Sequence, residues 1–285
     1  MNFSDFLLDK NSMNKTKGRT LALGAFDGCH LGHRVLFDKV DFSVTFHPSP
    51  KAYFSPNDSI LNLIDEKKIL YPGFVFLKFD ERMIDLSGEQ FIKGIVDTLA
   101  PKKIVVGWDF HFGRNLQGNT DAMKSLAEKY KFKLEIVPPV KVDGHIVKST
   151  LIRELLHKGE IEKANCFLGY EYFFMSEVVH GKGLGKKLGF PTINLKIVPR
   201  KLLPKSGVYS GHTAFNGRKH LTAISILRRE TLECEGHILD FKEDLYGQTV
   251  QISFNRFVRE QQNFSTTELL KKQIELDVKE IATNR

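Results

Sequence analysis

The periodicity of this chain changes near Leu168, and no other feature narrows its fold as much. Before that point, short apolar runs alternate with stretches of helical spacing. Residues 20–23, 42–46, 74–77, 103–106 and 134–137 read as strands. Residues 88–99 place apolar side chains at 91, 92, 95, 96 and 99, a helical spacing, and 60–70 and 120–130 read the same way. A helix of about two turns fits between His33 and Asp41. The prolines of His47-Pro48-Ser49-Pro50 are expected to stop any helix there. A further helix starts near 149–156, with Ser149 or Thr150 as its cap. Strands alternating with helices predict a parallel sheet covered on both faces, with ligands beyond the carboxyl ends of its strands. After Leu168 come short runs with turn signals, at 172–180, 207–214, 220–227, 235–241 and 249–254, and a last helix at 266–283. They predict a small β-barrel or sandwich. Two domains follow, 1–168 and 169–285.

The most specific string is 24–34, GAFDGCHLGHR, directly after the first strand. Gly24 and Gly28 mark a tight turn. His30 and His33 are three apart, and a helix starting near Leu31 brings the imidazoles together beside its unpaired N–H groups. Gly32 lets a ligand approach the backbone. This set suits a polyphosphate. The loop 107–113, GWDFHFG, also follows a strand and so falls on the same rim, and the helix start STLIR (149–153) is placed to close it.

The second cluster is HGKGLGKKLGFPTINL, 180–195. Gly181, Gly183 and Gly185 with Lys182, Lys186 and Lys187 form a loop able to wrap phosphates through backbone N–H groups. It is neither a P-loop nor a dinucleotide fingerprint. Thr192 and Asn194 are two apart, so on an extended segment both point one way as oxygen donors suited to Mg²⁺ shared with phosphates. Glu235 is a carboxylate at the entrance of an apolar strand, able to deprotonate an attacking hydroxyl.

The net charge of +8 favours anionic partners, yet few aromatic residues interleave with Lys and Arg as a base-stacking strip requires. A nucleic-acid module is therefore the weaker reading. No stretch approaches a membrane span, and the first residues lack a signal-peptide pattern, so a cytoplasmic protein is expected. Cys29, Cys166 and Cys234 are too far apart for a disulfide framework or a zinc knuckle.

Taken together, these strings resemble the bacterial bifunctional FAD synthetases, which join a riboflavin kinase to an FMN adenylyltransferase. The resemblance runs from about Thr20 to Thr283 through GAFDGCHLGH, TFHPSP, VVGWDFHFG, STLIR, HGKGLGKKLGFPTINL, GHILDF, DLYGQTV and FVREQQNF. It implies an α/β chain: a Rossmann-like nucleotidyltransferase domain with a parallel sheet, then a small antiparallel β-barrel kinase domain with a C-terminal helix. It implies ATP, Mg²⁺ and flavins as cofactor and substrates, with no nucleic acid or membrane partner. For adenylyl transfer it implies phosphate binding by His30 and His33, with Gly24, Phe26, Asp27 and Gly32 around them. Ser149, Thr150 and Arg153 form a second clamp, and Asp109 contacts nucleotide or flavin. For the kinase it implies Glu235 as base, Thr192 and Asn194 as metal and phosphate ligands, a covering loop from Gly181 to Lys187, and flavin contacts at Arg259 and Phe264. Two stretches depart from the pattern: SILRRET (225–231) replaces NIG-x-x-PT, and Gln261 replaces a glutamate. An adenylyltransferase with a weakened kinase barrel is accordingly the alternative reading.

Overall fold

The computed structural model describes residues 3–9, 16–181, 183–228 and 230–284. They form two compact units, Met1–Ser149 and Thr150–Arg285. Among the described residues of the first, five strands run parallel in the order β3-β2-β1-β4-β5. They are β1 (Thr20–Leu23), β2 (Phe42–His47), β3 (Phe74–Lys78), β4 (Lys103–Gly107) and β5 (Lys133–Val137). Leu21 sits in register with Phe42 on one side and Ile104 on the other. The strand order therefore reverses between β1 and β4, which opens a crevice at their carboxyl ends.

Alternation along the strands explains how both faces are covered. Leu21, Leu23, Ile104 and Val106 point to one face, against Phe91, Ile92 and Ile95 of α5 (Gly88–Leu99) and Met123 of α6 (Thr120–Tyr130). Ala22 and Val105 point to the other, against Leu36 and Phe37 of α1 (Leu31–Phe37). The prolines behave differently from expectation. Pro50 opens the helix α2 (Pro50–Phe54) because the first helical position needs no N–H donor, and Ser49 caps it by accepting from Ala52. The helix α3 starts later than its sequence pattern suggests, at Ile64–Leu70, because Leu61 N donates instead to Asp27 Oδ1. The one-turn helix α4 (Glu81–Ile84) and the hairpin of β6 (Lys141–Val142) with β7 (His145–Ile146) are too short to show a period.

Of the second unit, α7 (Ser149–Lys158) and α8 (Ile161–Leu168) come first. Asn165 of α8 donates to the Phe254 carbonyl and accepts from Tyr172 N, both at 2.8 Å, so this helix packs as part of the barrel unit. The barrel is closed and runs β10-β11-β12-β9-β8-β13. Its strands are β8 (Tyr172–Val179), β9 (Ile193–Leu195), β10 (Gly207–Phe215), β11 (Arg218–Arg228), β12 (Leu232–Ile238) and β13 (Thr249–Glu260). Closure decides between the barrel and the sandwich. Tyr172, Phe174, Tyr209 and Phe254 fill the interior, and the buried hydroxyls donate to the Leu202 and Lys205 carbonyls. The strand expected at 235–241 starts and ends earlier, because Leu232 already pairs with Arg228. Glu235 therefore lies mid-strand. A five-residue helix, α9 (Leu184–Leu188), interrupts what reads as a glycine loop. The chain closes with α10 (Thr267–Thr283), capped by Thr266.

Ile95 is fully buried between α5 and the sheet. Ile95→Ala lowers the stability of the first unit by about 3 kcal/mol, read as a fall in its urea midpoint with the barrel transition unmoved.

Candidate active sites

The first site stands at the crevice between β1 and β4. The turn after β1 is tightly folded, with φ of 47° at Phe26, 90° at Gly28 and 38° at Cys29. Phe26 is buried and packs edge-on against His33 at 5.2 Å, so it serves the turn as a wedge. His30 precedes α1, and its ring stacks on His33 at 3.6 Å with 15° between the planes. A Cβ on Gly32 would lie 3.2 Å from the His30 ring. His30 is buried and His33 half-buried. The Nδ1 atoms of both rings are enclosed and have no hydrogen-bond partner. Two unpaired buried polar atoms side by side are expensive, and an anion accepting from them would remove that penalty. Burial pulls the His30 imidazole down to about 4, with Asp27 opposing. Burial also lowers His33, and the charges of His30 and Lys67 lower it further. Both rings are therefore neutral donors at pH 7. The helix behind them has only seven residues, so side chains rather than a long dipole carry the attraction.

Other expected residues gather on the same rim. Asp27 holds the entry to α3 through its Oδ1, and its carbonyl accepts from Ser149 Oγ at 2.7 Å. Ser149 thus bonds back to the turn and does not cap α7. Thr150 and Arg153 follow it on α7, in the second unit. Across the crevice, Phe112 of the GWDFHFG loop is buried beneath Phe110, while Trp108 and Asp109 face outward. Lys148 reaches both, 4.6 Å from the Trp108 ring and 3.9 Å from Asp109. Sequence reading missed Lys67. It sits in a run of charged residues that reads as a solvated face, yet it is buried and donates to the Ala25 carbonyl at 2.7 Å.

The second site is a cavity of about 470 Å³ at the barrel and α10, lined by Thr192, Asn194, Glu235, Arg259 and Phe264 among others. Asn194 and Glu235 are direct register partners across β9 and β12. The Thr192 hydroxyl donates to Glu235 Oε2 over a long 3.4 Å. The glycine loop lies directly on these donors. A Cβ on Gly181 would come within 2.2 Å of the Asn194 amide, and one on Gly185 within 2.4 Å of the Phe190 carbonyl and 3.1 Å of Thr192. Gly183 and Lys187 belong to the cap and body of α9, whereas Lys182 lies outside the described residues. His237 Nδ1 donates to the Pro191 carbonyl at 2.8 Å and fixes the segment that carries Thr192 into β9.

A family model described as FAD synthetase matches residues 12–151, and one described as riboflavin kinase matches 168–284. A bifunctional riboflavin kinase/FMN adenylyltransferase of Pseudomonas fluorescens is 30% identical over 92% of this chain and 91% of its own. The protein of that description from Listeria monocytogenes is 30% identical over 91% and 90%. The chain belongs to the bifunctional riboflavin kinase/FMN adenylyltransferase family. A crystal structure of a protein described as a macrolide-efflux protein from Streptococcus pneumoniae shares the fold, at a TM-score of 0.84 and 26% identity over 92% of this chain and 93% of that one. Among the described residues here, no helix is long and apolar enough to cross a membrane.

Arg259 is engaged by Asp277 of α10 through two hydrogen bonds of 2.8 and 2.6 Å, and Gln273 donates to the same carboxylate. Arg259 therefore reaches Phe264 as a tethered group, its guanidinium 6.0 Å from the ring. Gln261, one residue beyond β13, accepts from Arg228 N at 3.1 Å and ties the end of β11 to it. Asp277 had no local signal, since its partner is remote in sequence.

His30 titrates lower in the folded chain than its ordinary value of 6.5. The unfolded chain then binds the extra proton between those values, so stability is complete above pH 6.5 and declines as pH falls toward 4. From pH 7 to pH 5 this group removes about 2 kcal/mol. Urea titrations of His30→Gln show an acid decline that is shallower by that amount.

Proposed function

We infer that this chain makes FAD in two ATP-dependent steps, phosphorylating riboflavin to FMN in the barrel and adenylylating FMN in the first unit. The observation that carries this reading is the pair of enclosed, partnerless Nδ1 atoms of His30 and His33 at the sheet crevice, matched by a separate cavity around Thr192, Asn194 and Glu235. We assign adenylyl transfer to residues 1–168 and the kinase to 169–285, counting Thr150 and Arg153 with the first function although α7 and α8 pack with the barrel.

In adenylyl transfer, the FMN phosphate attacks the α-phosphorus of ATP and pyrophosphate leaves. FMN already carries a competent oxygen nucleophile, so the protein supplies position and charge. His30 and His33 donate N–H bonds to the ATP phosphates, within the turn shaped by Gly24, Phe26, Asp27 and Gly32. Ser149, Thr150 and Arg153 form the second clamp, and Asp109 orients nucleotide or flavin from the facing loop.

In the kinase, Glu235 takes the proton of the riboflavin 5′-hydroxyl as its oxygen attacks the γ-phosphorus of ATP. The 181–187 segment covers the phosphates with backbone N–H groups and lysines. Phe264 and the tethered Arg259 border the flavin. Among the described residues no group of three or more His, Cys, Asp or Glu side chains is built to hold a metal. The donors present, a hydroxyl, an amide and one carboxylate, fit Mg²⁺ held jointly with ATP. When bound, Mg²⁺ neutralises phosphate charge. Retention of the kinase donors around one cavity, with both family models matched, favours the bifunctional reading over a weakened kinase. The partners in this reading are ATP and flavins, and we assign the work to the cytoplasm.

Glu235→Ala cuts FMN formation from riboflavin by about a hundredfold or more while FAD formation from supplied FMN persists. His30→Ala does the reverse. Chromatography of both reactions for each variant checks the assignment, and loss of both activities in either variant refutes it.

A further inference from the structure

Lys67 is a cation buried behind the turn that carries both imidazoles. Taking an ammonium out of water costs several kcal/mol, to an order of magnitude, unless partners compensate. Its Nζ donates to the Ala25 carbonyl at 2.7 Å, an oxygen that also accepts from Thr45 Oγ1 at 3.1 Å. Ala25 lies one residue beyond Gly24, at the root of the turn that carries both imidazoles. The titratable groups that sense Lys67 are Asp27 and Cys29 of the turn, His33 of α1 and His47 of β2. Lys68 and Asp65 act on His47 as well. Burial leaves such a charge poorly screened, so it acts on its surroundings more strongly than a surface lysine would.

We propose that Lys67 is a positioning residue for FMN adenylylation: it pins the Ala25 carbonyl so that the 24–33 turn holds His30 and His33 in stack, and its fixed charge draws the phosphates of ATP into the crevice from behind. The inference rests on reading His30 and His33 as the phosphate site. Lys67 itself need not touch the nucleotide. Its second effect is on protonation. The charge disfavours a proton on His33, which keeps that ring a neutral donor.

The test uses the full chain with Lys67→Met and His30→Ala. In Lys67→Met, KM for ATP in FMN adenylylation rises about tenfold or more, as expected for losing a charge-assisted bond. The acid limb of adenylylation moves to higher pH, because His33 protonates more readily without the neighbouring charge. Riboflavin phosphorylation is unchanged. A lysine serving stability alone would lower the melting temperature without moving the acid limb. An unaltered KM and acid limb in Lys67→Met, with adenylylation lost in His30→Ala, overturns the role of Lys67 alone. Full adenylylation by His30→Ala overturns the phosphate site and this proposal with it. Should Lys67→Met fail to fold, imidazole NMR of the unmodified chain decides. His33 stays neutral well below the ordinary imidazole range and shifts when ATP is added. A His33 signal titrating near 6.5 overturns the proposal.

Discussion

The root of the turn after β1 is the constraint on which the first site depends. A chain leaving a buried parallel strand must turn within a few residues, and here three of the four residues from Phe26 to Cys29 have left-handed backbone: Phe26, Gly28 and Cys29. Such a turn persists only if its surroundings hold it. The Ala25 carbonyl is held by Lys67 and Thr45, the Asp27 carboxylate by Leu61 N, and the Asp27 carbonyl by Ser149. Phe26 wedges the turn into the core beside Phe37 and Phe74. With the backbone fixed from several directions, two imidazoles can remain stacked with unpaired nitrogens, a state that a pliable loop would relax away. The parallel sheet contributes by placing this turn and the Trp108–Asp109 corner on opposite sides of the crevice between β1 and β4.

The barrel solves a related problem by different means. Its donors sit on strands, so register rather than a strained turn brings them together. Pairing of β9 with β12 sets Asn194 opposite Glu235, and Thr192 approaches the same carboxylate. The glycine loop comes down so closely here that a Cβ on Gly185 would meet the Phe190 carbonyl and one on Gly181 would displace the Asn194 amide. At the other end, Asp277 holds Arg259 in a nearly buried ion pair and fastens α10 against the strand that continues into Phe264. The pair defines the cavity wall, and its geometry rather than its strength is what matters, since desolvation offsets much of the attraction between buried charges.

How much of this could be read from the residues varied with the range of the interactions. The α5 and α6 helices were legible to their ends because their period is clear and Ser87 and Asn119 cap them. Pro50 was misread because its rule has two sides: it forbids a helix interior and favours a first turn. The turn that pairs His30 with His33 was legible because glycine and histidine spacing is local. Lys67 and Asp277 were not, since each is charged, looks solvated in its own helix, and owes its burial to a partner far along the chain. The division of α8 with the barrel was invisible for the same reason, resting on Asn165 reaching across to Phe254.

The central claim is that two separate sites act in sequence on one flavin. Its most direct measurement is a chromatographic time course of the unmodified full chain with riboflavin, ATP and Mg²⁺. FMN rises first, then falls as FAD and pyrophosphate accumulate. A time course that yields neither FMN nor FAD, or that stops at FMN with no FAD from added FMN, contradicts the account.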